Sequence, residues 1–121
     1  MSVWVWIAVA ALGALGASAR FVLDTVVSER AGTSFPLGTF TINMTGAFVL
    51  GLLTGLALGG DALILAGTAA LGSYTTFSTW MLETHRLAED GELRLALVNA
   101  AGSLLAGVGA AALGRVIGVH L

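Results

Sequence analysis

The chain has 121 residues, of which 57% are hydrophobic and 10% charged, and its mean hydropathy is +0.95. A soluble domain of this size could not bury so much apolar surface, so the composition indicates a membrane protein. The net charge is −2, and the five basic residues are all arginines that form no run, which excludes nucleic acid as a partner. The absence of cysteine excludes disulfides, thiolate metal sites and cysteine nucleophiles.

Four apolar stretches predict a single all-α domain with four transmembrane helices, since a helix needs roughly 20 residues to cross a bilayer. We place the spans at residues 3–23, 37–59, 62–82 and 95–117. Four short helices form too thin a bundle to enclose a wide aqueous path, so we expect association with another copy or a relative. No nucleophile–base pair or metal cluster can be assembled within the spans, so we do not expect an enzyme.

The first span carries small residues such as Gly13 and Ala17, which allow a neighbouring helix to approach closely. Arg20 lies at its end, and two interpretations stay open: an arginine that reaches the headgroups, or a buried structural arginine that bonds to a loop or helix. The charged and turn-forming stretch from Asp24 to Pro36 predicts a short connection.

The second span places Thr39, Asn43 and Gly46 on one helix face, because their spacings are four and three residues. On this helix alone, the simpler interpretation of Asn43 is an amide that bonds to a neighbouring helix. Glycines at every fourth position further along predict a packing surface, which is a sufficient explanation for them. These glycines are Gly51, Gly55 and Gly59.

The third span is unusual because five serine and threonine hydroxyls occupy seven positions of an apolar stretch. They are Ser73, Thr75, Thr76, Ser78 and Thr79. Side-chain hydrogen bonds compete with the helix, and Gly72 precedes them, so we expect this helix to break near the membrane midplane and to release carbonyl oxygens. In discontinuous membrane helices, such carbonyls coordinate sodium.

Phe77 and Trp80 lie three residues apart and share a helix face. Such a pair is most often core packing, but the positive edge of an aromatic ring can also receive an anion without a full charge. The stretch from Glu83 to Arg94 is rich in charge and predicts the helix end and an exposed loop. The fourth span then carries Asn99 at a helical spacing from other small and polar residues, namely Ser103, Gly107 and Ala111.

Three motifs occur in order along the chain. They are the glycine-rich Gly13–Arg20 stretch, the P-x-G-T-x-x-x-N pattern from Pro36 to Asn43, and the Thr75-Thr76-Phe77-Ser78-Thr79-Trp80 stretch after Gly72. Together with the four spans, they resemble the Fluc (CrcB) family of fluoride channels over nearly the whole chain.

The resemblance implies a dual-pore channel of two antiparallel subunits in the plasma (inner) membrane, which exports fluoride passively and lowers its cytoplasmic concentration. The residues it assigns to the fluoride path are Asn43, Phe77, Trp80, Ser78, Thr79 and Thr39. It assigns the backbone carbonyls of Gly72 and Thr75 to a structural sodium ion shared between the subunits.

The chain departs from the family pattern at Trp80, where the family usually has a second pore phenylalanine. Tryptophan is larger, and its indole N–H is a hydrogen-bond donor. We therefore expect the pore that contains this position to conduct differently or to be blocked.

The arginines are distributed unequally between the two sides of the predicted membrane domain. Arg30, Arg86 and Arg94 share one side, while Arg115 is alone on the other, so the positive-inside tendency predicts that both termini lie outside. A self-pairing antiparallel dimer should have nearly balanced charge. A heterodimer with a paralogue of opposite orientation therefore stands beside the homodimer as an interpretation.

Two alternatives to a self-sufficient channel stay open. A small four-helix proton-coupled multidrug exporter has a similar length, but it needs a carboxylate within the membrane, and the first span offers none before Asp24. A non-conducting partner subunit would explain the small-residue faces. It would leave the hydroxyl cluster and Asn43 without a role.

Overall fold

The computed structural model describes all 121 residues, and every regular element in it is helical. Helix α1 spans Val3–Ala31 and begins where the Ser2 hydroxyl accepts a hydrogen bond from the Val5 N–H. It ends at Gly32, which has a φ of 59°, a left-handed conformation that favours glycine.

The expectation of a connection over residues 24–36 is therefore wrong for its first eight positions, which are the last two turns of α1. Charged residues such as Asp24 and Glu29 can continue a helix, and Arg30 in the last turn interacts favourably with the helix dipole. The helix ends only at Gly32. The charged residues therefore mark the end of the apolar span but not the end of the helix.

Helix α2 spans Leu37–Gly55 and follows directly after Pro36. It ends four residues before the end of the predicted span, because Ala57 has a positive φ of 58° and Gly60 one of 59°. Helix α3 covers residues 60–74 and contains a widened stretch of π-helix at Ile64–Leu71. Helix α4 spans Ser78–Glu89.

Helix α5 spans Leu93–Val119 and is widened to π-helix at Val98–Gly102. Only residues 90–92 separate it from α4, with Gly91 at a φ of 78°. Residues 83–94, predicted as the helix end and an exposed loop, are therefore helical through residue 89, and the loop is limited to residues 90–92.

Three helices, α1, α2 and α5, are long and apolar enough to cross a membrane. The predicted third span is divided between α3 and α4, which follow one another around residues 75–77. Only 15 of the 121 residues are buried, and large apolar side chains such as Trp4 and Leu105 are more than 70% exposed. An apolar surface of this extent identifies a membrane protein.

Small residues determine how closely the helices pack. A methyl group added at Gly51 would overlap the backbone of Ala111, and one at Gly114 would overlap the carbonyl of Phe48, so α2 and α5 are in direct backbone contact. The predicted glycine surface is confirmed for Gly51 and for its neighbour one turn later, Gly55, which meets Arg115 and Gly118. It is wrong for Gly59, which lies beyond the helix and has no neighbour within 4 Å.

We expect Gly114→Ala to lower the stability of the bundle by about 1–3 kcal/mol, because backbone atoms cannot move aside for the added methyl group. Gly109→Ala on the same helix is the matched control, since nothing lies within 4 Å of its added methyl group. It should be neutral or stabilising by up to about 1 kcal/mol. Thermal unfolding of both variants in detergent micelles measures the difference, and equal midpoints would contradict this description of the helix contact.

Candidate functional site

The candidate site is built around the interruption between α3 and α4. Thr75 is extended, with φ −79° and ψ 162°, and the helix resumes at Ser78. The Thr75 N–H and hydroxyl both donate to the Leu71 carbonyl, at 2.9 and 3.0 Å, and so close the last turn of α3. The Thr79 N–H donates to the Thr76 hydroxyl oxygen at 3.2 Å, which caps the first turn of α4.

Asn43 of α2 binds the backbone at this interruption through both ends of its carboxamide. The Thr76 N–H donates to Asn43 Oδ1 at 2.9 Å, and Asn43 Nδ2 donates to the Thr76 carbonyl at 2.8 Å. The amide of Asn43 thus pairs with the N–H of one peptide group and the carbonyl of the next, both of which helix bonding leaves unpaired. Since the Nδ2 group has two N–H donors, one remains for another acceptor.

The hydrogen bonds at the interruption, from the Thr76 N–H to Asn43 and from the Thr79 N–H to the Thr76 hydroxyl, leave two carbonyl groups without a donor. In an unbroken helix the Thr76 N–H would donate to the Gly72 carbonyl, but here it donates to Asn43. The Thr75 carbonyl also receives no hydrogen bond within the chain. Two backbone oxygens are therefore available as ligands for a hard cation, which prefers oxygen.

The two aromatic residues lie edge to face beside the interruption. The ring centroids of Phe77 and Trp80 are 5.6 Å apart, and the ring planes are at 88°. Phe77 is 70% exposed on the single chain, so most of its ring is free to meet another molecule. The indole N–H of Trp80 donates to the Asn99 carbonyl at 2.9 Å and is therefore already occupied.

A groove of about 420 Å³ joins these features and is open on one side. Five predicted site residues line it, namely Asn43, Gly72, Thr75, Phe77 and Trp80. The other wall comes from α5 and includes Ser103 and Gly107, the stripe that the sequence predicted on the fourth span. No charged side chain lines the groove, so its polarity comes from amide, hydroxyl and backbone groups alone.

Four other predicted residues do not line this groove. Ser78 is exposed and Thr79 half-buried, and neither hydroxyl has a hydrogen-bond partner within the chain. Arg20 is half-exposed and makes no hydrogen bond or ion pair within the chain, so the chain itself does not supply the partner of a structural arginine. Thr39 is buried at 2% exposure, and its hydroxyl donates to a Glu83 carboxylate oxygen.

Glu83 is a neighbour of the site that sequence reasoning missed. It is the first residue beyond the predicted span 62–82, and its pKa is raised, chiefly because partial burial disfavours the charged carboxylate. The hydrogen bond from Thr39 lowers that pKa, Asp24 raises it further, and Arg86 lowers it. The sequence signal that could have identified Glu83 is its position as the first charged residue after the apolar run, one helical turn beyond Trp80.

Fold and site together define a helical membrane protein in which a largely apolar groove with a few uncharged polar groups borders an interrupted helix. The family described as CrcB-like protein, Camphor Resistance (CrcB), matches residues 7–115. The chain therefore belongs to the CrcB family, as the three motifs indicated.

Relatives of known name match over nearly their full length. A protein of Mycolicibacterium paratuberculosis named fluoride-specific ion channel FluC 2 is 53% identical over 114 residues, which cover 94% of this chain and 93% of the relative. One of the same name from Mycobacterium bovis is 50% identical, with coverage of 95% and 91%. Fluoride-specific ion channel FluC 1 of Leifsonia xyli subsp. xyli is 49% identical, with coverage of 98% and 89%.

Proposed function

We propose that the chain is a subunit of a fluoride-selective ion channel that exports fluoride passively across the plasma membrane. The observation that carries the proposal is the groove at the helix interruption, where the Asn43 amide and the exposed Phe77 ring meet without any charged side chain. The names of the relatives and the shared family support the same function.

The chemistry of the groove suits a small anion. An ion that leaves water for a medium of low dielectric constant loses on the order of 20 kcal/mol of solvation, so donors in the protein must replace its shell. The second N–H of Asn43 and the positive edge of Phe77 supply such donors without a fixed positive charge, which would hold the anion too tightly to release it. Ser78 and Thr79 offer further hydroxyls beyond the groove.

The open side of the groove supports association with a second subunit. Phe77 is 70% exposed in the single chain, a costly position for a site that must exclude water and lipid. A partner in antiparallel orientation would cover the groove and contribute the other wall of each path. The names FluC 1 and FluC 2 among the relatives fit an organisation in which paralogues pair, and the homodimer is the other arrangement.

The released carbonyls of Gly72 and Thr75 fit a structural sodium ion, because they are uncharged oxygen donors with no other partner in the chain. One chain supplies only these two ligands, so a second subunit would have to supply the others. When bound, the cation would neutralise the carbonyl dipoles and hold the two interruptions together.

The transport we propose needs no coupled energy source. An inside-negative potential provides about 2.3 kcal/mol per elementary charge per 100 mV, which drives an anion outward. A proton-coupled exporter is less well supported, because the partly buried carboxyl, Glu83, lies beyond the span and outside the groove.

Fluoride efflux from liposomes that contain only this chain tests the proposal, with chloride as the control anion. We expect fluoride efflux without chloride efflux, and equal chloride efflux would contradict selectivity. Asn43→Ala and Phe77→Ala should each slow fluoride efflux about tenfold or more, since each removes a donor to a charged ion worth about 1.5–3 kcal/mol. Phe21→Ala is the matched control, because Phe21 is 73% exposed on α1 and does not line the groove, and its efflux should equal that of the parent.

Reporter fusions at the C-terminus separate the two kinds of dimer. A homodimer requires populations that face both ways, whereas a subunit that depends on a paralogue should face one way, with both termini outside as the arginine count predicts. A one-way population that still gives fluoride efflux in the absence of any paralogue would contradict the antiparallel arrangement.

A further inference from the structure

Trp80 forms two hydrogen bonds with a single residue of α5, Asn99. Its indole N–H donates to the backbone carbonyl of Asn99 at 2.9 Å, and the Asn99 side-chain Nδ2 lies 3.4 Å from the Trp80 carbonyl. Asn99 is 1% exposed, so water does not compete for either bond. One residue therefore holds both the ring and the backbone of Trp80.

The bonds around this attachment form a closed network. Thr84 donates its hydroxyl to the Trp80 carbonyl at 2.9 Å and accepts from Asn99 Nδ2 at 2.8 Å. Ser103 donates to Asn99 Oδ1 at 3.4 Å. No buried side-chain polar atom of the chain lacks a partner. A fully paired buried network of this kind permits few alternative geometries.

The accepting carbonyl lies in the π-helical stretch of α5, Val98–Gly102. Such widened turns alter the direction of backbone carbonyls and occur frequently at functional sites. Here the widened turn lies directly opposite the second aromatic residue of the groove. A phenylalanine at position 80 has no N–H and could not form this bond.

The orientation of Trp80 in turn affects Phe77. The exposed Phe77 ring and the Trp80 ring lie edge to face, with centroids 5.6 Å apart and ring planes at 88°. Such edge-to-face pairs stabilise one relative orientation of two rings. A mobile Trp80 would therefore leave the Phe77 ring without a fixed support.

We propose that the Trp80 indole N–H and Asn99 form a positioning pair that fixes the Phe77 ring edge toward the groove, and that the indole N–H itself does not bind the anion. This inference rests on the proposed function, because it assigns the donor role in the groove to Phe77 and Asn43. It gives Trp80 the role of a rigid support in place of a second anion ligand.

The first test replaces Trp80 with its isostere benzothienylalanine, which keeps the shape of the ring and lacks only the N–H. Phe77 carries a para-fluoro label in both proteins, and its fluorine NMR signal reports the ring environment. We expect one narrow signal in the parent and a shifted or broadened signal in the isostere variant. An unchanged signal would overturn the proposal. The same isostere at Trp6, which is 59% exposed on α1, is the control that should leave the Phe77 signal unchanged.

The second test asks whether the indole N–H meets the anion. In a Trp4→Phe, Trp6→Phe background, Trp80 gives the single indole N–H resonance of the chain. We expect this resonance to exchange slowly in deuterium oxide and to stay in place during titration with sodium fluoride, as it does with sodium chloride. A saturable shift with fluoride alone would overturn the proposal, because the N–H would then be a ligand.

Fluoride efflux of the same isostere variant links the positioning pair to transport. We expect efflux about fivefold slower than in the parent, the size of effect that one lost neutral hydrogen bond gives. If the parent shows no fluoride efflux while its Phe77 signal still responds to the isostere, the positioning pair stands and the proposed function fails. If efflux is normal in both proteins, the positioning role is wrong and the proposed function stands.

Discussion

The pairing of the Asn43 carboxamide with the backbone N–H and carbonyl of Thr76 is the interaction on which the site depends. Within a bilayer, an unpaired peptide group is too costly to leave without a partner, and an interrupted helix creates such groups. Asn43 satisfies the N–H and the carbonyl of Thr76 together, so the Gly72 carbonyl lacks its helical donor. The Thr75 carbonyl lacks its own because the Thr79 N–H donates to the Thr76 hydroxyl. The same amide that stabilises the interruption thus keeps the N–H that we propose for the anion and frees one of the two carbonyl oxygens that we propose for a cation.

Helix packing brings Asn43 to the interruption. A methyl group at Gly46, one turn after Asn43, would overlap the Thr75 side chain, so α2 can lie directly against residues 74–76 only because this position is glycine. On the other side of α3, Gly16 of α1 lies against the Ala70 backbone in the same way. The interruption is therefore supported from two sides by small residues, while its third side, with Phe77, is open to a partner.

The apolar runs and the three motifs predicted much of this site, because hydropathy and local spacing decide where spans lie and which residues share a face. Asn43, Phe77 and Trp80 do border one groove. The helical extensions at residues 24–31 and 83–89 were not predictable from charge, since Asp, Glu and Arg mark the end of the apolar run and not of the helix. The acceptor of the Trp80 indole N–H is a carbonyl in the widened turn of α5. The hydrogen bond between Thr39 and Glu83 depends on how α4 packs against α2. Neither contact has a local sequence signal.

One NMR measurement addresses the central pairing directly. The bond between Thr75 and Thr76 is the only Thr-Thr peptide in the chain, so labelling the carbonyl carbon and the nitrogen of threonine gives a single correlation from the Thr76 amide. We predict slow hydrogen exchange of this amide in the parent protein, and exchange at least about tenfold faster in Asn43→Ala, where the acceptor is lost. Equal exchange rates in the two proteins would show that Asn43 does not hold the interruption, and would contradict the account of the site.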